Sequence, residues 1–262
     1  MESRFLTHQA CGFSPDVKEI IINAPVSDER IELFLTEMHV TNSIEAISFQ
    51  LNATIDTLRA LSTHLKSPQC RVTSLAITGL YLDEEWNKIL SDVLCSNNKS
   101  VTTLKFEYNN SSQPLDVIFA YMQTSKVLEC LSLRGNNLSR NECVQLTDVL
   151  KTTTSLRKLD LAYCQLEDPD CFMISDALKN NKTLKVLDLS HNYFSAKGLA
   201  WGYFSNIEHV RCTGHEAIKE LLIENATLED LDITGCDTDY EDLQHICEAL
   251  ERNTSLTRLH ME

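Results

Sequence analysis

The feature that most constrains this chain is a spacing. The stretch SLRKLDLAYCQL returns as TLKVLDLSHNYF, with Leu184 standing 28 positions after Leu156. In each copy apolar residues fall at offsets 1, 4 and 6: Leu156, Leu159 and Leu161, then Leu184, Leu187 and Leu189. The ninth position holds Cys164 in one copy and Asn192 in the next. Leu159-x-Leu161 puts two side chains on one face of a short strand, with Lys158, Asp160 and Ala162 on the other. One such unit cannot bury its apolar face alone, so copies must stack. An Asn turned inward at the ninth position can hydrogen-bond backbone groups left open where the strand stops. Cysteine does this less well, but it also packs as a small apolar group.

The register extends in both directions. Before Leu156 come Leu128, Leu131, Leu133 and Asn136; then Val101, Leu104, Phe106 and Asn109; then Val72, Leu75 and Ile77; then Ile44, Ile47, Phe49 and Asn52. A degenerate copy, Val17, Ile20 and Ile22, has Pro25 at its ninth position. Towards the C-terminus, Leu228, Leu231, Ile233 and Cys236 follow Leu184 after 44 rather than 28 positions, and Leu256, Leu259 and Met261 close the chain. The pattern L-x-x-L-x-L-x-x-N/C-x-L resembles leucine-rich repeat proteins of the ribonuclease-inhibitor type over about residues 17–262. That resemblance implies an α/β class fold, a right-handed horseshoe with a parallel sheet on its concave face and helices on its convex face. It implies a repeat domain at 17–262 of about nine copies, preceded by a cap segment at 1–16. The chain stops one strand into a copy, so a continuation, a partner or a tail is expected to cover that end.

Between the strand patterns lie helical ones. Ser27-Asp28-Glu29 opens the first, with Ile31, Leu33, Phe34, Leu35 and Met38 as its apolar positions. The next begins near Thr54, and another runs from Asp83, where Trp86 sits on the apolar stripe and reads as core. Ser139 with Glu142 and Thr238 with Glu241 are spaced as capping boxes, and Asp168-Pro169 as an N-cap followed by a first-turn proline. One copy departs from the rule. After Phe194 the extra residues fall at about 198–214, before a standard helix pattern, GHEAIKELLIENA. They include Trp201, Tyr203, Phe204, His209 and Cys212. Such an insertion projects as a loop, often on a binding face, and loop aromatics make good interface anchors. The same aromatics can instead fold back to plug the gap in the helical layer.

Charge and cysteine usage narrow the function. The net charge of −15 opposes nucleic-acid binding, and between Glu216 and Glu251 stand 12 acidic residues and one basic, Lys219. The ten cysteines follow repeat positions rather than paired spacings, which reads as free thiols in a reducing cytosol. No apolar run approaches membrane-spanning length. The sequons at Asn181 and Asn253 belong to a recurring N-x-T/S-L helix exit. No cofactor is expected: neither phosphate-loop spacing nor a GxSxG elbow occurs. His209, Cys212 and His215 offer three ligands where a structural zinc site needs four, so no metal is expected.

In the resembled fold, offsets 3, 5, 7 and 8 face solvent on the concave side. Offset 5 carries Ile21, Ser48, Ala76, Lys105, Ser132, Asp160, Asp188, Asp232 and His260. Offset 7 carries Glu107, Arg134, Ala162 and Ser190; offset 8 carries Tyr108, Tyr163 and His191; Lys158 and Asp230 stand at offset 3. Tyr and Arg dominate interface energetics, and a file of Asp160, Asp188 and Asp232 suits a basic partner, although Asp is also common filler in such repeats. The expectation is a non-enzymatic scaffold. It engages, and can occlude, a protein partner through these residues and the Trp201, Tyr203 and Phe204 loop. A stand-alone repeat domain also resembles the leucine-rich effectors of intracellular bacteria, implying cytoplasmic action on a host protein or another effector. Two alternatives remain open. Ran-GTPase-activating proteins share the fold, which would make Arg134 a candidate group for a small GTPase. A thiol hydrolase would use Cys212 with His209 or His215.

Overall fold

Leucines two apart make strands, and strands too short to stand alone align flush with their neighbours. The computed structural model describes residues 2–5, 17–23, 43–67, 69–95, 100–111, 115–194 and 214–261. The helix expected after Ser27 and the insertion carrying Trp201, Tyr203, Phe204, His209 and Cys212 lie outside the described residues. The chain forms two compact units, Met1–Ser132 and Leu133–Glu262.

In the first unit, β1 (Glu2–Phe5), β2 (Val17–Ile22), β3 (Ala46–Gln50), β4 (Ser74–Thr78), β6 (Thr103–Glu107) and β8 (Cys130–Ser132) pair in that order, all parallel. Short strands β5 (Tyr81–Leu82) and β7 (Asn110–Ser111) pair separately. Helices α1 (Ile55–Leu65), α2 (Glu84–Cys95) and α3 (Asp116–Thr124) alternate with the main strands and pack side by side. Parallel pairing requires such crossovers. Leu75 aligns with Ile47 and with Leu104, so the offset-4 residues form one buried row. Trp86 is buried on α2 with its ring edge-on to Phe49 at 6.3 Å, a core residue as expected.

The second unit repeats the plan. Helices α4 (Arg140–Leu150), α5 (Asp168–Lys179), α6 (Gly214–Glu224) and α7 (Tyr240–Leu250) alternate with strands β9 (Lys158–Asp160), β10 (Val186–Asp188), β11 (Asp230–Asp232) and β12 (Arg258–His260). Leu159, Leu187, Leu231 and Leu259 stand in register across the parallel sheet. The first three are fully buried, as are Leu146, Ile174, Leu221 and Ile246 from the four helices, which places the core between the sheet and helix layers. Each such leucine contributes about 1.5–3 kcal/mol by leaving water. The 44-residue step therefore returns to register: GHEAIKELLIE forms α6, with Ala217, Ile218, Leu221 and Leu222 buried.

Two ladders of polar side chains tie consecutive copies together. At the ninth position, Asn192 Nδ2 donates to the carbonyls of Leu161 (2.9 Å) and Leu189 (2.8 Å), while its Oδ1 accepts from the N–H groups of Cys164 and Leu166, both at 3.0 Å. Cys164 Sγ donates to Leu133 O at 3.2 Å and Cys236 Sγ to Leu189 O at 3.5 Å, a weaker version of the same bond. Asn109 and Asn136 are buried in the same role. Asn52 breaks the ladder, for it is exposed. Leu51 before it adopts a left-handed backbone and donates its N–H to Thr78 O, and the asparagine is turned outward.

The second ladder is the N-x-T/S-L exit. Asn181, Asn225 and Asn253 each donate across to a carbonyl of the helix of the preceding copy, Leu150, Leu178 and Leu222, at 2.7–2.8 Å. Each Oδ1 accepts the two N–H groups that open its own strand segment. These amides are committed to structure, which explains the sequons. Ser139 and Glu142 form the expected capping box. The other two caps are displaced by one residue. Glu167 rather than Asp168 caps α5, with its N–H donating to Asp170, and Asp239 rather than Thr238 caps α7, with its N–H donating to Asp242. In both cases an aspartate at the third helical position reaches back to the cap, a signal that a Ser/Thr-x-x-Glu template misses.

Candidate functional site

Flush pairing fixes which side chains meet on the open face of the second unit. Asp160, Asp188, Asp232 and His260 occupy one row across β9 to β12, and Lys158, Val186, Asp230 and Arg258 the row before it. Neighbouring strands stand about 4.8 Å apart, so three aspartates in a row repel one another. Arg134 answers this within the chain: its Nε donates to Asp160 Oδ2 at 2.9 Å and its Nη2 to Asp188 Oδ2 at 2.5 Å. Each aspartate also accepts, through Oδ1, an N–H two residues on, from Ala162, Ser190 and Thr234. Burial holds the Asp160 carboxyl above the ordinary aspartate range, against the opposing bonds from Ala162 and Arg134. The acidic file is thus partly spent internally. Among the described residues Asp232 makes no ion pair, whereas Asp230 is paired with Arg258 at 2.9 Å and faces His260 at 3.4 Å.

Beside this file the aromatic residues stack. The Tyr163 and His191 rings lie 4.3 Å apart and 14° from parallel, and the Arg134 guanidinium carbon sits 5.9 Å from the Tyr163 centroid. A Cβ on Gly235 would fall 2.3 Å from His191 Nδ1, so the imidazole fills the place of a side chain in the next copy. Offset 8 is left-handed along the chain: Leu51, Gly79, Tyr108, Gly135, Tyr163, His191 and Gly235 all have φ between 47° and 72°. Outside glycine this conformation costs about 1–2 kcal/mol. Glycines at three of these offsets were the sequence signal that the others are strained.

The expected residues divide accordingly. Arg134, Asp160, Tyr163, Asp188 and His191 are brought together; Asp230 and Asp232 stand one strand on; Lys158 is exposed in the same rows. Lys105, Glu107 and Tyr108 belong to the first unit, where Lys105 and Tyr108 are exposed and Glu107 is half-buried. Offset 7 does not uniformly face solvent: Ala162 and Ser190 are buried, and their carbonyls accept the N–H groups of Gly135 and Tyr163, the left-handed residues of the preceding copy. Trp201, Tyr203 and Phe204 fall outside the described residues. Arg134, the group named for a GTPase-directed role, is held on two sides by carboxylates and over one ring. Among the described residues no group of His, Cys, Asp and Glu is arranged to hold a metal ion.

Comparison with known proteins agrees with the spacing. The Leucine Rich repeat family matches residues 153–175 and 180–200. A Mus musculus protein, NACHT, LRR and PYD domains-containing protein 4E, is 26% identical over 147 residues, covering 55% of this chain but only 15% of that protein. The solved actin-binding site 2 of leiomodin-1 superposes with a TM-score of 0.40 at 25% identity, over 50% of this chain and 69% of that one. The family match spans the two copies whose Cys164 and Asn192 build the ladder, and over those residues the chain carries leucine-rich repeats.

Proposed function

We propose that the chain is a non-enzymatic scaffold that binds a protein partner on the open sheet face of its second unit and occludes whatever surface it covers. The observation that carries this reading is the exposed stack of Tyr163 on His191, held in strained backbone beside the carboxylates of Asp188 and Asp232. Strain of this kind persists where the surrounding structure over-determines it, and it gathers at binding sites. The Tyr163 and His191 rings are fixed before any partner arrives, which lowers the ordering cost of association. A partner surface bearing Lys or Arg suits Asp232. In the sequence, the insertion carrying Trp201, Tyr203 and Phe204 follows directly on this copy. In the reading by resemblance, the partner is a host protein or another effector met in the cytoplasm.

The test is affinity capture with the full chain, wild type against Tyr163→Ala, followed by titration of the recovered partner. Removing a central aromatic anchor is expected to weaken binding by at least about thirtyfold. Equal recovery of every partner by both forms sinks the sheet-face assignment.

A further inference from the structure

The second unit carries its acids in two ways. On the helix layer and the strand-entry edge they are paired between copies: Arg140 with Asp170 at 2.7 Å, Lys179 with Glu220 at 2.8 Å, Lys219 with Glu248 at 2.7 Å and Lys185 with Glu229 at 2.7 Å. The loops that leave the strands differ. Residues 161–167, 189–194 and 233–242 contain no lysine or arginine. Backbone bonds hold these loops side by side: Tyr193 N–H donates to Leu166 O at 2.8 Å and Asp237 N–H to Phe194 O at 3.2 Å. Glu167, Asp237 and Glu241 are exposed there, and among the described residues none makes an ion pair. The same rim presents the two most exposed tyrosines among the described residues of this unit, Tyr193 at 66% and Tyr240 at 84%.

We propose that this loop rim is a second docking surface, for a lysine- or arginine-bearing segment of a protein partner. It goes beyond the sheet-face reading, and the side chains that carry it, Glu167, Tyr193, Asp237, Tyr240 and Glu241, are not among those named for that site. Charge complementarity names the occupant. Acids that served only solubility would need no exposed aromatics beside them, whereas Tyr next to carboxylate is the pair that holds a cation by its ring face and its charge together. The chain already does this to its own Arg134, between Tyr163 and two aspartates.

Fluorescence anisotropy of a labelled twelve-residue peptide of alternating arginine and alanine, titrated with the full chain at low salt, tests the proposal, with a glutamate–alanine peptide beside it. Saturable binding of the basic peptide alone is expected. It should weaken about tenfold in Tyr193→Ala/Tyr240→Ala and severalfold in Asp237→Asn/Glu241→Gln. The charge-matched helix variant Glu224→Gln/Glu251→Gln should leave it unchanged. All substituted rim side chains are exposed, and circular dichroism checks that the variants fold. Three outcomes overturn the assignment: no saturable binding, equal weakening by rim and helix charge variants, or indifference to loss of both tyrosines. None of them touches the Tyr163 result, so the two readings fail separately.

Discussion

Gly235 and His191 show how one residue's conformation is set by the copy beside it. Gly235 has φ +69°, and the space its side chain would fill is taken by the His191 imidazole. Gly235→Ala is expected to cost about 1–2 kcal/mol from the left-handed backbone, and it must also push the ring off Tyr163. Chemical denaturation reads the first effect. The second appears in NMR, where His191 ring protons shifted by the face of Tyr163 should return towards unstacked values. A ring that stays put in the variant would contradict the stacking argument. The spacing alone placed Tyr163 and His191 on the open face. It did not reveal that Arg134 reaches across two strands to hold Asp160 and Asp188, because that contact joins residues 26 and 54 positions apart.

At the scale of the element, the copies of Leu184 and Leu228 are each closed by two side chains, Asn181 with Asn192 and Asn225 with Cys236. The strands of the second unit are only three residues long, too short to persist without the bonds at their ends. Asn192 makes five such bonds, three given and two received. Each buried group left unpaired costs about 1–3 kcal/mol, so Asn192→Ala should destabilise by at least about 3 kcal/mol. Asn192→Cys, copying Cys164, should cost less; urea unfolding compares them. Much of this was legible: the ninth-position rule holds at Asn109, Asn136, Cys164, Asn192 and Cys236, whereas the copy of Val72 buries Leu80 there, which has no polar group to give. Asn52 and the displaced caps of α5 and α7 were not, since a residue's inward or outward turn depends on which backbone groups the next copy leaves open.

For the whole molecule, the thiols report burial. Burial pushes Cys164 up to about 12 and Cys236 up to about 11, and raises Cys143 and Cys171 as well. Iodoacetamide at pH 8 should therefore modify the exposed Cys95 and Cys247 in the folded protein, and these four only after denaturation. The raised values also set a sign. The uncharged thiol is favoured in the fold, so its contribution is complete below the ordinary thiol range near 8.5 and is lost as pH climbs towards 11–12. Urea midpoints should fall over that range in the wild type and less steeply in Cys236→Ala. No helix among the described residues is long and apolar enough to cross a membrane.

What the sequence determined by itself was the repeat: its period, the strand and helix order, the buried leucines and the ladder, because each follows from local spacing that any copy must obey to bury its face. What only the tertiary structure decided was the use of the surface. Which acids are already neutralised, which tyrosines stand free and which ring lies over which glycine are contacts between copies. Their geometry is set by stacking, and a spacing within one copy carries no record of it.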